Sequence, residues 1–227
     1  MRSLVDRYLD RQKALTIADV GSYDFIGSYR ALFEQPAWTY SGIDLNPGPN
    51  VDVVLESPYQ FPFPDGQFDV LISGQAFEHI KFFWLTWMEM VRTLKPGGFI
   101  FLIAPSRGPE HRYPVDCWRF YPDGFRALAE YGKIDCLEAH TDWSAYPGAR
   151  GRTWGDTVGV FAKAPFVLTD AAQQWLRDHG TEKQRSLVER AASEVTLVVE
   201  GTLRRSVEGM LRAIKRRMPG PKKTATD

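Results

Sequence analysis

The chain has 227 residues, with 28 Lys and Arg against 28 Asp and Glu, so its formal net charge is zero. That balance excludes a wholly basic nucleic-acid binder and a wholly acidic disordered chain, while 44% hydrophobic and 13% aromatic residues suffice for a sizeable core. Two cysteines, Cys117 and Cys136, are too few for a disulfide framework, and residues 1–13 hold no apolar run of the signal-peptide kind. No stretch reaches the roughly 18 apolar residues that span a bilayer, so a cytoplasmic location is expected.

The zero is a cancellation. Residues 1–164 carry 16 basic and 20 acidic side chains, whereas residues 165–227 carry 12 and 8, and Phe166 and Trp175 are the only aromatics in the second part. A boundary at Ala164–Pro165 therefore separates an aromatic-rich body, 1–164, from a basic extension, 165–227, whose composition favours helix.

In chain order, Leu15–Val20, Thr39–Leu45, Val51–Leu55, Phe68–Ser73 and Phe99–Ala104 read as strands apolar on both faces. Turn chemistry at Pro47-Gly48, Pro64-Asp65-Gly66 and Pro96-Gly97-Gly98 separates them. Helices are expected over Ser28–Glu34, with Ser28 placed to cap, over Phe82–Leu94, and over Pro122–Tyr131 with its first-turn proline. Ile134–Ala139 and Thr157–Lys163 flank a long loop, Asp142–Gly155. In the extension, Thr169–His179 starts on a Thr-Asp cap and stops before Gly180. A second helix, Thr181 to Met218, carries an apolar stripe including Val188, Ala192, Val195, Val199 and Leu203, and eight basic residues lie between Arg204 and Lys223. The fold class is α/β: a doubly wound, mostly parallel sheet with a helical C-terminal extension, in which ligands bind at the carboxyl ends of the strands.

Three strand ends carry candidate chemistry. The turn Asp19-Val20-Gly21-Ser22-Tyr23-Asp24-Phe25 lets backbone approach a ligand at Gly21, although an ordinary glycine turn is an equal reading. Asp44 closes the next strand, where a carboxylate can hold ribose hydroxyls or simply cap its own turn. The third is FPFPDGQFDVLIS (Phe61–Ser73), followed by Glu78-His79 and by Leu94-Lys95-Pro96-Gly97-Gly98.

Together, from about Leu15 to Ala104, these motifs resemble the class I S-adenosylmethionine-dependent methyltransferases. Within them, Asp19–Arg30 (DVGSYDFIGSYR) and Tyr113–Phe120 (YPVDCWRF) resemble a bacterial subgroup associated with glycan or secondary-metabolite biosynthesis. The resemblance implies a seven-stranded Rossmann-like sheet and methyl transfer from S-adenosyl-L-methionine lying across the ends of the first and fourth strands. It would place Asp19, Gly21, Ser22 and Tyr23 against the methionine part, and Asp44 and Leu45 at the ribose and adenine edge. Glu56 or Ser57 would lie near the adenine amine, with Ser73, Gly74 and Gln75 bordering the sulfonium. One departure stands out: Tyr23 and Phe25 occupy places where the family has glycines, and their bulk could close the site. A nicotinamide dehydrogenase is disfavoured, because no G-x-G-x-x-G is present.

A hydroxyl acceptor must lose a proton, and histidine suits that task near neutral pH. His111 ranks first as base because it follows the fifth strand in a loop rich in charge and aromatics; Asp116 is the alternative. Arg112, Tyr113, Trp118, Arg119 and Tyr121 could line the acceptor pocket, extended by Trp143, Tyr146 and Trp154, and a solvated lid is the plainer reading of that loop. His79, beside Glu78 at a helix start, reads as structural, and His140 and His179 as surface residues. No metal site is expected, since Asp142, Asp156 and His140 match no compact ligand pattern. The expected function is O-methylation of a sugar, glycan or related small-molecule metabolite; the alternative is a non-catalytic scaffold using the long helix. That helix is expected to pack on the body or pair as a homodimer, or to rest on an anionic membrane, with nucleic acid the weaker partner.

Overall fold

The structure is a computed structural model describing residues 1–25, 27–143, 153–193 and 205. Seven strands form one sheet in the order β3-β2-β1-β4-β5-β7-β6. They are β1 (Leu15–Val20), β2 (Trp38–Asp44), β3 (Val53–Val54), β4 (Phe68–Gly74), β5 (Leu94–Arg107), β6 (Asp135–Asp142) and β7 (Gly155–Ala162). The first five pair in parallel, and β7 alone runs against its neighbours β5 and β6. The winding reverses between β1 and β4, so their carboxyl ends open a crevice between them.

Each face of the sheet buries a separate apolar layer, as the unbroken apolar strands require. On one face α3 (Phe83–Thr93) and α4 (Pro122–Gly132) lay Trp87, Met90, Phe125 and Leu128 against Leu71, Ile100, Leu102 and Phe161. On the other, α1 (Arg2–Tyr8), α2 (Arg30–Phe33), α5 (Asp170–His179) and α6 (residues 182–193) cover Ile17, Ile72, Phe99 and Phe101. Thr169 caps α5 by accepting the Ala172 N–H at 3.1 Å, as its position predicts. At α6, Thr181 and Gln184 exchange hydrogen bonds in a capping box.

Several boundaries differ from expectation for identifiable reasons. β5 begins five residues early, because Leu94 pairs with Phe68 and the Lys95–Gly98 segment bulges before pairing resumes at Val70 and Phe99. α2 is a single turn starting after Tyr29, since the Ser28 hydroxyl accepts the Arg30 N–H in a local turn instead of opening a longer helix. The change of composition at Ala164–Pro165 is not a break in packing: Phe166, Leu168, Ala172, Leu176, Leu187, Val188 and Ala191 are buried with β1, β4 and β5. Without that cover, Phe99, Val160 and Ala162 would face water. Tyr146, the stripe from Val195 to Met218, and the basic run apart from Arg205 lie outside the described residues. Among the described residues, no helix is long and apolar enough to cross a membrane.

Helix α1 is not legible from propensity, being seven residues long. It is held by Glu138 of β6, which is fully buried and accepts hydrogen bonds from Arg7 Nη1 at 2.5 Å and Tyr8 Oη at 2.6 Å. Arg7 also lies 4.4 Å from the centre of the Trp175 ring. Removing the cation leaves a buried carboxylate without its charge partner. Arg7→Ala should therefore lower unfolding free energy by about 3 kcal/mol in urea denaturation, whereas Arg11→Ala, which removes the exposed Asp6–Arg11 pair, should cost less than about 1 kcal/mol.

Candidate active site at the carboxyl ends of β1 and β4

The turn after β1 is built around two constraints. Gly21 adopts φ 79°, and a Cβ there would collide with the Ala76 Cβ of the turn after β4, so only glycine lets the two turns approach. Asp19, the penultimate residue of β1, is buried, receives the Tyr40 hydroxyl at 2.5 Å, and has its pKa pushed up to about 7 by burial. A buried acid half-protonated near neutrality, at a strand end beside a forced glycine, is a feature of binding sites rather than of cores.

The bulky residues of this turn do not fill the crevice. The Tyr23 ring packs over Gly48 and stacks on Phe25 at 4.5 Å, and Phe25, two-thirds exposed, continues to Tyr113 at 5.2 Å. They form an outer aromatic rim. Inside it stands Tyr29, whose ring lies against Gly74 at the end of β4. Burial pushes its phenol up to about 12, reinforced by the charges of Asp19, Asp156 and Glu78. The charges of three acids from three different elements thus add to burial in raising the Tyr29 phenol.

The remaining donor-side residues divide. Leu45 is exposed beside the end of β2, Glu56 is exposed, and Ser57 accepts the Tyr59 N–H at 3.1 Å. Asp44 accepts the Tyr23 N–H at 3.2 Å and the Asn46 N–H at 3.1 Å, so it also orders both turns. Gln75, at φ 60°, donates its N–H to Ile103 and turns the chain out of β4. Two expectations fail on hydrogen bonding. Ser22 is buried, with its N–H on Ile43, its hydroxyl on Asn50 and its carbonyl taken by the Asn50 amide, so it has no donor left for a ligand. Ser73 is buried with its hydroxyl on the Val20 carbonyl at 2.8 Å, tying β4 to β1 instead of facing the crevice.

On the other side, the segment after β5 is clasped onto the short 3-10 turn Phe77–His79 after β4. Cys117 N–H donates to the Glu78 carbonyl at 2.7 Å, His79 Nδ1 to Val115 at 2.6 Å, and the Trp118 indole to Ile80 and Lys81. His111 is thereby brought over the site, with its ring 5.0 Å from His79, 6.1 Å from Tyr113 and 5.1 Å from Trp154. Its Nε2 lies 3.9 Å from the carboxylate of Glu78. Glu78 is fully buried and burial pushes its pKa up to about 8; burial also lowers that of His79.

Asp116 is corrected as a base. Arg119 holds it through two bonds, 2.5 and 2.8 Å, and keeps its carboxyl well below the usual carboxylate range, so it does not take up a proton near neutral pH. Arg119 in turn spends its guanidinium on Asp116 and on the Pro109 and Trp118 carbonyls, as a brace for the loop and not a pocket wall. Arg112 is exposed and paired with Glu110, Tyr121 is exposed at the start of α4, and Trp118, half-exposed, packs against Phe83 and Trp84. Of the proposed acceptor residues, Tyr113 is in ring contact with both His79 and His111, and Trp154 with His111. Tyr29 was missed because it lies ten residues beyond Asp19, on a turn that only the fold brings back over Gly74.

Residues 19–102 match the methyltransferase domain family. The matched segment runs from the buried Asp19 to the middle of β5 and contains the whole donor side of the crevice. A curated relative, an uncharacterized methyltransferase of Mycolicibacterium gilvum, is 27% identical over 170 residues, covering 66% of this chain and 64% of its own length. A Mycobacterium leprae relative is 29% identical over 168 residues, covering 65% and 60%. The chain thus spans about three-fifths of the length of these relatives. Among solved structures, a SAM-dependent methyltransferase of Methanosarcina mazei superposes with TM-score 0.52 at 15% identity, covering 69% of this chain and 94% of that one. The [4+2]-cyclase SpnF gives 0.55 at 14%, covering 71% and 79%. The fold is therefore that of the class I methyltransferases, a scaffold that hosts more than one chemistry.

The Arg119–Asp116 brace makes a direct prediction. Arg119→Ala leaves Asp116, with 3% of its side chain exposed, without its guanidinium and facing the backbone N–H and Nδ1 of His111. Amide hydrogen exchange over residues 108–120 should accelerate by more than about tenfold while exchange in β4 and β5 is unchanged; unchanged exchange in the loop refutes the brace.

Proposed function

We propose that this chain is an S-adenosylmethionine-dependent methyltransferase acting on a hydroxyl of a sugar, glycan or related small metabolite. The observation that carries the reading is the pair of strand-end acids at the β1–β4 switch point, inside the matched methyltransferase segment: buried Asp19 beside Gly21, and Asp44, which accepts the Tyr23 N–H of the same turn. The residues fit such a donor, because a buried carboxylate favours a cation and exposed Leu45 offers an apolar edge beside Asp44.

When bound, S-adenosylmethionine supplies a methyl group already activated by its sulfonium; the acceptor oxygen forms the new O–C bond as the C–S electron pair returns to sulfur. The protein has then to orient, to exclude water and to accept a proton. Asp19 and Asp44 orient the donor from β1 and β2. The rim of Tyr23, Phe25 and Tyr113 shields the crevice from solvent and offers flat faces to a sugar or ring acceptor. The acceptor hydroxyl would lose its proton beside the cluster of His111, His79 and Glu78, where the clasped loop meets the turn after β4.

Calorimetric titration of the purified chain with S-adenosylmethionine should give a dissociation constant of roughly 1–100 µM, weakened at least about tenfold by Asp44→Ala; no detectable binding by the wild type would sink the reading. A cationic donor favours the ionised form of Asp19, whose pKa is near 7. Affinity should therefore rise between pH 6 and 7.5, by up to about tenfold per unit below 7, and Asp19→Asn should bind more weakly with a flat profile.

A further inference from the structure

Three metal-ligating side chains from two separate turns meet beneath the clasped loop. Glu78 Oε1 lies 3.6 Å from His79 Nε2 and 3.9 Å from His111 Nε2, and the ligand atoms of the three residues all fall within 4.8 Å of one another. Ions bound at about 2.0–2.2 Å hold tetrahedral ligand atoms about 3.3–3.6 Å apart, so the cluster needs only to draw in slightly.

Two independent features raise this above proximity. Glu78 is 0% exposed, and among the described residues neither of its carboxylate oxygens has a hydrogen-bond donor from any residue but Glu78's own backbone N–H. A buried carboxylate with so few donors is costly unless a cation meets it. Arg119, whose charge acts on Glu78, makes its ion pair with Asp116. Second, both imidazoles are set with their lone pairs inward. His79 Nδ1 lies 2.6 Å from the Val115 carbonyl, and His111 Nδ1 lies 3.3 Å from the Pro109 carbonyl and 3.4 Å from Asp116 Oδ2. All three partners are acceptors, so each ring carries its proton on Nδ1 and presents a bare Nε2 to Glu78. An outer carbonyl or carboxylate fixing the tautomer in this way is the usual support of a metal-ligating histidine.

We infer that Glu78, His79 and His111 form a binding site for a divalent transition ion, zinc best matching two imidazoles and one carboxylate, with a coordination position left for an acceptor oxygen. This rests on the methyltransferase reading and sharpens it. The ion would hold the acceptor hydroxyl as its alkoxide, its proton leaving to solvent; that oxygen's electron pair forms the bond to the methyl carbon, and the C–S pair departs with sulfur. His111 then serves as ligand and not as proton acceptor. The sequence spacing conceals the site, because adjacent Glu78-His79 and a histidine 32 positions later match no compact motif.

The test is titration of the purified, chelator-stripped full chain with zinc alone, and with cobalt as a visible-absorption probe. One ion per chain is expected, weakened more than about tenfold in Glu78→Gln and in His111→Ala and unchanged in Cys117→Ser and His140→Ala. His111 is partly exposed on its loop, so that variant should keep the wild-type melting temperature and report the site even where Glu78→Gln fails to fold. Absence of ion binding, or binding that survives both ligand substitutions, overturns the site. Donor titration without metal separates the two readings: donor binding with no ion refutes the metal site alone, whereas ion binding with no donor supports the site and refutes the methyltransferase reading.

Discussion

The loop after β5 is closed onto the turn after β4 by two short bonds, Cys117 N–H to the Glu78 carbonyl at 2.7 Å and His79 Nδ1 to the Val115 carbonyl at 2.6 Å. The acceptor side of the crevice depends on that clasp. It seals Glu78 from water, aims both histidines at its carboxylate, and swings Tyr113 against the Tyr23–Phe25 rim that rises from the opposite turn. Asp116 and Arg119, which read in the sequence as catalytic and recognition residues, lock the loop in this place. Opening it would dissolve the histidine–glutamate cluster and remove one wall of the crevice, while the buried Asp19 and the forced Gly21 would remain with the sheet.

The sheet supports this arrangement with rigid strand ends and two sealed faces. Charge is used sparingly inside it. One oxygen of buried Glu138 accepts from both Arg7 and Tyr8, which fastens α1 across β6, and Arg7 in turn packs on Trp175 of α5. Helices α1 and α5 are thereby tied to the same strand edge. The extension is consequently part of the core's cover at least as far as Ala191. The net zero charge of the chain conceals an acidic crevice that suits a cationic ligand and a basic run at the other end of the sequence.

Much of the fold was legible. Strands apolar on both faces, such as Phe68–Gly74 and Leu15–Val20, cannot be amphipathic and must lie in a sheet covered twice, and proline, glycine and threonine marked α4 and α5 nearly to the residue. The early start of β5 and the single turn of α2 were not legible, because a bulge opposite Phe68 and a hydroxyl bond at Ser28 are decided by partners the local sequence does not contain. Strand-end position singled out Asp19, Gly21 and Asp44 as candidates, whereas only the folded chain reveals that the hydroxyls of Ser22 and Ser73 are already spent on backbone.

The sequence by itself determined the doubly wound, mostly parallel sheet and the acids at its strand ends, because hydrophobic period and turn residues are local properties that the chain writes directly; the place between the first and fourth strands was implied by the family resemblance and is fixed by the strand order. The tertiary structure decided which of the polar residues near that point face one another. Whether His79 is structural or a ligand, whether Asp116 is a base or a brace, and whether Tyr23 and Phe25 block the crevice or rim it are questions of distance between turns some thirty to ninety residues apart. Such distances follow from how strands stack and loops close, and no spacing along the chain encodes them.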